Sequence, residues 1–187
     1  MTVPSHIARP TGSRLVSEDA PRTGHAGLDK AAFFAVMAAF PTGVTIVTTL
    51  DDHGGPRGLT SNAVCSVSAD PPLLLVCIDR RSTTLAEIQR RQRFVVNFLG
   101  AARGDLSNRF ASRHPDRFAG VPWRAAGNGM PWLYQDTIAH AECAVQQAVV
   151  AGDHVVVMGA VTGGSPPDRD ASPLIYFRRS YATWPAQ

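Results

Sequence analysis

The sequence has few cysteines and no long apolar run. Cys65, Cys77 and Cys143 include no C-x-x-C pair and leave an odd count, so neither a disulfide framework nor a structural zinc site is expected and a reducing compartment is favoured. No stretch approaches the roughly 18 consecutive apolar residues that a membrane span requires. The first residues carry no apolar segment flanked by charge, so the sequence predicts no secretory signal and a cytoplasmic location.

Several common catalytic and nucleotide-binding motifs are also missing. The chain contains no G-x-S-x-G elbow, no G-x-G-x-x-G after a predicted strand and no P-loop, which excludes a Rossmann domain as a nucleotide site. The histidines show no metal-ligand spacing with one another or with the cysteines, so no metal site is predicted. Any nucleotide therefore has to bind on another framework.

The formal charge is +3, and Lys30 is the only lysine among the 18 basic residues. Arginine suits phosphate recognition, but an arginine preference spread over the whole chain also fits a codon-composition effect. The aromatic residues do not alternate with the arginines as they do on a surface that stacks bases. Nucleic-acid binding is therefore disfavoured.

The chain reads as a tail followed by one domain. Residues 1–27 are rich in Pro, Gly, Ser, Thr and Arg and predict a flexible tail, and residues 28–187 are long enough to build a core of their own. Helices are predicted at 28–40, 82–93 and 104–111. Strands are predicted at 44–50, 58–67, 73–78, 94–99, 137–150, 154–161 and 174–177. Residues 112–132 are predicted to be irregular and to form part of a site's rim.

Short strands with only three helices predict a mainly β fold. The hydrophobic period by itself leaves a closed antiparallel barrel and a sandwich both open.

Small donor-bearing side chains cluster between residues 58 and 68, just before Pro71-Pro72. A strand with so many hydroxyl and amide groups suits a phosphate-bearing ligand, although a strand whose Ser and Thr face water is the structural alternative. A second donor cluster, residues 80–83, comes at the predicted start of a helix, where an anion is best held. Its structural alternative is a solvated loop with a helix cap.

The sequence resembles the short-chain flavin reductases, which are the reductase partners of two-component flavin-dependent monooxygenases. Four segments carry the resemblance: TGVTIVTT at 42–49, GLTSNAVCSVSADPPL at 58–73, FVVNFL at 94–99 and GDH at 152–154. The likeness covers about residues 28–184. It implies a split, Greek-key β-barrel that forms a homodimer with flavin near the subunit interface.

The resemblance also implies FMN or FAD as the flavin and NADH or NADPH as the hydride donor. Cofactor-binding positions carry over to Thr60, Ser61, Asn62, Ala63, Val64, Ser66, Val67, Arg81, Ser82, Thr83 and Arg109. His154, the last residue of the GDH segment, is implied to meet the nicotinamide nucleotide and is the predicted catalytic residue, with Asp153 fixing the imidazole tautomer. Asp79 is predicted to pair with a nearby arginine.

The predicted function is NAD(P)H-dependent flavin reduction. A hydride would pass from nicotinamide C4 to flavin N5, and reduced flavin would leave for a partner monooxygenase. The alternative is a flavin-binding electron-transfer or carrier protein that does not oxidise nicotinamide.

Overall fold

The computed structural model describes residues 27–165 and 171–184, so residues 1–26 of the predicted tail lie outside the described residues. Within these ranges the chain forms three helices: α1 (Lys30–Ala38), α2 (Thr83–Arg91) and α3 (Gly104–Ala111). The strands are β1 (Thr42–Gly43), β2 (Thr45–Leu50), β3 (Pro56–Ser61), β4 (Val64–Ala69), β5 (Pro72–Asp79), β6 (Arg93–Leu99), β7 (Arg124–Ala125), β8 (Pro131–Trp132), β9 (Thr137–Ala151), β10 (His154–Ser165), β11 (Leu174–Phe177) and β12 (Ser180–Thr183).

Seven strands form one antiparallel sheet in the order β3-β2-β6-β9-β10-β5-β4. A small sheet, β1-β11-β12, and a short β7-β8 hairpin accompany it. The hairpin at residues 51–56 forms because the Asp51 carboxylate accepts hydrogen bonds from the backbone N–H groups of His53 and Gly55. This architecture confirms the predicted mainly β fold with a few helices.

The single strand predicted over residues 58–67 is wrong, because the chain breaks at Asn62–Ala63. β3 pairs with β2, whereas β4 pairs with β5 at the opposite end of the sheet order. Ala63 lies beside β5, where its carbonyl accepts a hydrogen bond from the Cys77 N–H at 3.0 Å. The sheet therefore curls so that its two edges approach each other through Asn62–Ala63, and no ladder joins β3 to β4 within the described chain.

The sheet has a hydrophobic cluster on each face. Consecutive residues of β2 show the alternation, since Val47 packs into one cluster and Ile46 into the other. The first cluster includes Ile88 of α2, and the second includes Phe110 of α3. Burial of these side chains fixes α2 and α3 against opposite faces of the sheet.

Helix α1 differs from the other two helices because none of its residues is buried. It is shorter than the predicted 28–40, and Asp29 caps it, with its carboxylate accepting a hydrogen bond from the Ala32 N–H at 2.7 Å. Its apolar side chains face outward, however, and Phe33, Phe34 and Met37 are about half exposed. None of the described helices is long and apolar enough to cross a membrane.

Candidate functional site

A cavity of about 750 Å³ lies where β3 ends and α2 begins. Four parts of the chain line it: residues 56–63, residues 77–84 except Arg80, residues 110–118 except Ser112, and His154. Its volume falls in the ordinary range for small-molecule and cofactor sites. The curl of the sheet creates this space, since it brings the end of β3 next to the end of β5.

The first wall contains the predicted residues Thr60, Ser61, Asn62 and Ala63. The Thr60 hydroxyl donates to the carbonyl of Ser107 at 2.7 Å, and the Ser61 hydroxyl oxygen accepts from the Ala63 N–H at 3.1 Å. Ser61 is buried, so only the cavity side of its hydroxyl can meet a ligand. Asn62 is exposed, and its Nδ2 donates to the Thr42 hydroxyl at 3.2 Å while its Oδ1 can accept from a ligand. This wall can therefore offer short polar groups to a ligand, as the sequence predicts.

Three other predicted residues, Val64, Ser66 and Val67, do not line the cavity. They lie on β4 beyond the break, and Val67 is 44% exposed. The family resemblance assigns them to flavin binding together with Thr60 to Ala63. Their contact with a flavin remains a prediction.

The second wall is the N-terminus of α2, where Arg81, Ser82 and Thr83 meet the cavity. Ser82 occupies the N-cap position, but its hydroxyl makes no capping hydrogen bond. The hydroxyl is thus left for a ligand at the positive end of the helix dipole. This arrangement favours anion binding over the predicted alternative of a simple cap.

Asp79 and Arg81 form the predicted ion pair beside this helix end. Arg81 donates from Nη2 to Asp79 Oδ2 at 2.8 Å and from Nε to Oδ1 at 3.1 Å. The Arg81 side-chain and backbone hydrogen bonds hold the pKa of Asp79 well below its ordinary value. Because the carboxylate balances part of the guanidinium charge, Arg81 attracts an anion less strongly than an unpaired arginine would.

His154 stands at the start of β10, directly across the ladder from Asp79. Its Nδ1 lies 2.7 Å from Oδ1 of Asp153, and its side chain is 44% exposed. The hydrogen bond from His154, together with its charge, lowers the pKa of Asp153. When Nδ1 donates to this carboxylate, Nε2 is left to meet a ligand in the cavity.

Arg109 does not line the cavity. Its Nη2 donates to the carbonyls of Asp116 at 3.1 Å and Ala119 at 2.7 Å, so the side chain holds the loop that follows α3. Direct contact between Arg109 and a phosphate remains a prediction.

The loop itself contributes Arg113, His114 and Arg117 to the wall. The sequence predicts that residues 112–132 form part of a site's rim, but it does not single out those three residues. It also predicts an irregular segment there, whereas the two-residue strands β7 and β8 lie within it. The sequence pattern that could have indicated them is the pair of arginines, Arg113 and Arg117, on either side of His114.

Fold and cavity together define a curled antiparallel β protein whose site combines short polar groups, a helix N-terminus and a histidine. Residues 37–185 match the family model described as "Flavin reductase like domain". The chain therefore belongs to the flavin reductase-like family, as the resemblance of its motifs predicts.

Similar proteins bear names that describe flavin reduction or a component of a monooxygenase. The flavin reductase (NADH) of Kitasatospora aureofaciens is 49% identical over 161 residues, which are 86% of this chain and 84% of the relative. The crystal structure of nitrilotriacetate monooxygenase component B from Mycobacterium thermoresistibile is 38% identical and superposes with a TM-score of 0.78, covering 85% of this chain and 92% of that one.

A third similar protein has been solved with ligands. The NADH:FAD oxidoreductase SgcE6 of Streptomyces globisporus, in complex with NAD and FAD fragments, is 28% identical with a TM-score of 0.78. The match covers 84% of this chain and 93% of that one.

Proposed function

We propose that this protein is an NAD(P)H-dependent flavin reductase that takes FMN or FAD as the flavin. The observation that carries the proposal is the convergence of three features on one cavity: the polar wall at residues 60–63, the open N-terminus of α2 and the imidazole of His154. The names of the similar proteins support the same activity.

Different residues of the cavity are suited to binding different parts of the flavin. The Ser82 hydroxyl and the N-terminus of α2 suit the flavin phosphate. Ser61 and Asn62 suit the polar chain between phosphate and ring. When bound, the flavin supplies the redox chemistry by accepting a hydride from reduced nicotinamide.

His154 is proposed to act at the edge of the reacting rings. Asp153 holds its Nδ1, so Nε2 can donate a hydrogen bond when the imidazole is protonated, or accept one when it is neutral. A donor placed where negative charge develops favours hydride transfer electrostatically. The protein needs no nucleophile for this reaction, and its contribution is to place the two rings within about 3–3.5 Å of each other.

A partner monooxygenase is proposed to receive the reduced flavin. The name of the similar component B supports this, since it describes part of a monooxygenase. The cavity is lined by many exposed residues, including Asn62, Arg113 and His114, which suits release of a diffusible product. The cytoplasmic location remains a prediction.

A homodimer is part of the same proposal. The apolar side chains of α1 are exposed, and a second copy of this chain would remove them from water. Light scattering should give a dimer for the intact chain and a monomer for F34D. A monomeric wild type at micromolar concentration would contradict the dimer.

Steady-state kinetics test the function. NADH and NADPH are each supplied with FMN, FAD and riboflavin under anaerobic conditions, and loss of flavin absorbance is followed. A reductase bleaches flavin in step with nucleotide oxidation. A flavin carrier binds flavin but leaves both absorbances unchanged, and that result would replace the proposal with its alternative.

A further inference from the structure

Arg117 is a partly buried cation in the cavity wall that has no carboxylate partner among the described residues. Its Nη1 donates to the Gly58 carbonyl at 2.7 Å and its Nη2 to the Ser112 carbonyl at 2.6 Å. Its Nε is buried without a hydrogen-bond partner. Carbonyl oxygens orient the guanidinium but do not cancel its charge, so that charge remains unbalanced.

Two other arginines of the wall, Arg57 and Arg81, differ from Arg117 in their partners. Arg57 lies 2.8 Å from Asp51 and Arg81 lies 2.8 Å from Asp79, so each has a carboxylate beside it. Among these three arginines, only Arg117 directs all the hydrogen bonds of its guanidinium to backbone carbonyls. Arg113 also lines the wall, but its side chain is exposed to solvent and not held by the wall.

The loop that carries Arg117 is basic overall. It holds Arg113 and Arg117 against one acidic residue, Asp116. The Asp116 carboxylate accepts the backbone N–H of Phe118 at 3.2 Å, and Arg109 binds its carbonyl. Burial lowers the pKa of Arg117, and no carboxylate of the described part of the chain opposes that shift. An anion in the cavity would supply the missing countercharge.

Arg117 lies at a different part of the cavity wall from the N-terminus of α2. It is bound to Gly58, three residues before Ser61 on β3, which corresponds to about 10 Å along a strand. The cavity wall continues over residues 56–63. One ligand can therefore meet the polar end of the wall near Ala63 and the basic loop farther along β3.

We infer that Arg117 anchors a second anion subsite in this cavity, which receives a phosphate group of a dinucleotide. The inference rests on the proposed function, in which the N-terminus of α2 holds the first phosphate. Riboflavin has no phosphate and FMN has one, whereas FAD and the nicotinamide dinucleotides carry an additional adenylate phosphate. Because the guanidinium is already oriented by two carbonyls, binding the phosphate costs little ordering of the side chain.

The test is the variant R117Q, which removes the charge but can still donate to one carbonyl. If the subsite takes the FAD phosphate, the KM for FAD rises about tenfold or more while the KM for FMN changes less than about twofold. If it takes the nicotinamide dinucleotide, the KM for NADH rises by a similar factor with riboflavin as the acceptor. Either result supports the subsite and identifies its occupant.

Two outcomes overturn the inference. One is a folded R117Q whose KM values for FAD and NADH both stay within about twofold of wild type. The other is an equal rise in KM for riboflavin and FAD, because that pattern reports a distorted wall and not a lost phosphate contact.

Two matched variants distinguish the loss of the Arg117 charge from a structural change in the cavity wall. R57Q removes a wall arginine that Asp51 already neutralises, so it should leave the ratio of the FAD and FMN KM values unchanged. R117K keeps the charge and should retain most of the preference for the dinucleotide.

If R117Q fails to fold, AMP provides the test with wild-type protein. Competitive inhibition by millimolar AMP against FAD or NADH supports the subsite, and its absence overturns it. If the wild type oxidises no nucleotide, the proposed function fails. The subsite is then tested separately by the FAD and FMN dissociation constants of wild type and R117Q, measured by flavin fluorescence.

Discussion

The Nδ1 atom of His154 lies 2.7 Å from the Oδ1 atom of Asp153 at the edge of the cavity. The Asp153 side chain is 86% exposed and the His154 side chain 44% exposed, so neither contributes much to the core. The pair therefore has the geometry of a positioned ring and not of a structural anchor. Substitutions in this pair should therefore change catalysis without a large change in the stability of the fold.

We expect H154A to lower kcat/KM for NADH by about tenfold or more, because it removes the hydrogen-bonding group nearest the proposed nicotinamide position. The melting temperature should change by less than about 2 °C, since the side chain is half exposed. Stopped-flow flavin reduction and thermal melting measure the two effects. D153N should have a smaller effect on kcat/KM, since it weakens only the orientation of the ring. Normal turnover by H154A would remove the catalytic role.

Replacing Ser82 with alanine should separate ligand binding from helix capping. Because the Ser82 hydroxyl makes no capping bond, S82A should leave the free energy of unfolding nearly unchanged. It should weaken FMN binding about threefold or more and leave riboflavin binding unchanged. The matched control is D29A, which removes a cap that is made and should cost α1 about 1 kcal/mol. Fluorescence titration and urea unfolding measure both. Equal losses for FMN and riboflavin would argue against a phosphate contact.

The three cysteines should react with a thiol reagent at different rates. Cys65 is exposed and should react first, whereas burial, with a smaller contribution from Glu142, raises the pKa of Cys143 to about 12 and should make it the slowest. Burial also raises the pKa of Cys77, which lines the cavity. FMN should therefore slow the modification of Cys77 in a C65S background, measured by peptide mass spectrometry. An unprotected Cys77 at saturating FMN would place the flavin elsewhere.

The Asp51 carboxylate should make stability depend on pH in the acid range. The Gly55 N–H, and then Arg57 and the His53 N–H, lower its pKa below the ordinary value of 3.8. Since the folded pKa is below the unfolded one, its stabilisation is fully present well above pH 3.8 and is lost as the pH falls through the folded pKa. The difference in unfolding free energy between wild type and D51A should shrink over that window. A difference that stays constant from pH 6 to pH 2.5 would contradict this.

Gly159 in β10 should tolerate no side chain. A Cβ atom there would lie 2.7 Å from Cζ of Phe94 and 2.9 Å from Cβ of Cys143, both of which are fully buried. We expect G159A to lower the free energy of unfolding by about 1–3 kcal/mol through overpacking. G43A is the control, because a Cβ at Gly43 would meet nothing within 4 Å. Urea unfolding of both variants decides the point, and equal stability would count against close packing at Gly159.

Local sequence determined those parts of the protein whose partners are close along the chain. The bounds predicted for α3, residues 104–111, are those observed, and the hairpin at residues 51–56 follows from an aspartate and two glycines that form the turn among themselves. The pairing of Asp79 with an arginine two residues away is equally local. Such interactions need no knowledge of the rest of the fold.

The sequence also predicted part of the set of residues that line the candidate site. Thr60 to Ala63, Arg81 to Thr83 and His154, which the resemblance of the motifs predicts as site residues, all line the cavity. Val64, Ser66, Val67 and Arg109 do not line it. The sequence shows what these groups can bind but not which wall each one faces.

Only the tertiary structure determined which residues lie together in the walls of the cavity. The break at Asn62–Ala63 arises because β3 finds its partner in β2 and β4 finds its partner in β5, and strand pairing over such separations is set by packing of the whole sheet. The same packing brings Arg117 beside Gly58, 59 residues earlier in the chain, where no carboxylate of the described residues pairs with its charge. Local propensity carries no information about contacts of that range, because they form only when the sheet has curled.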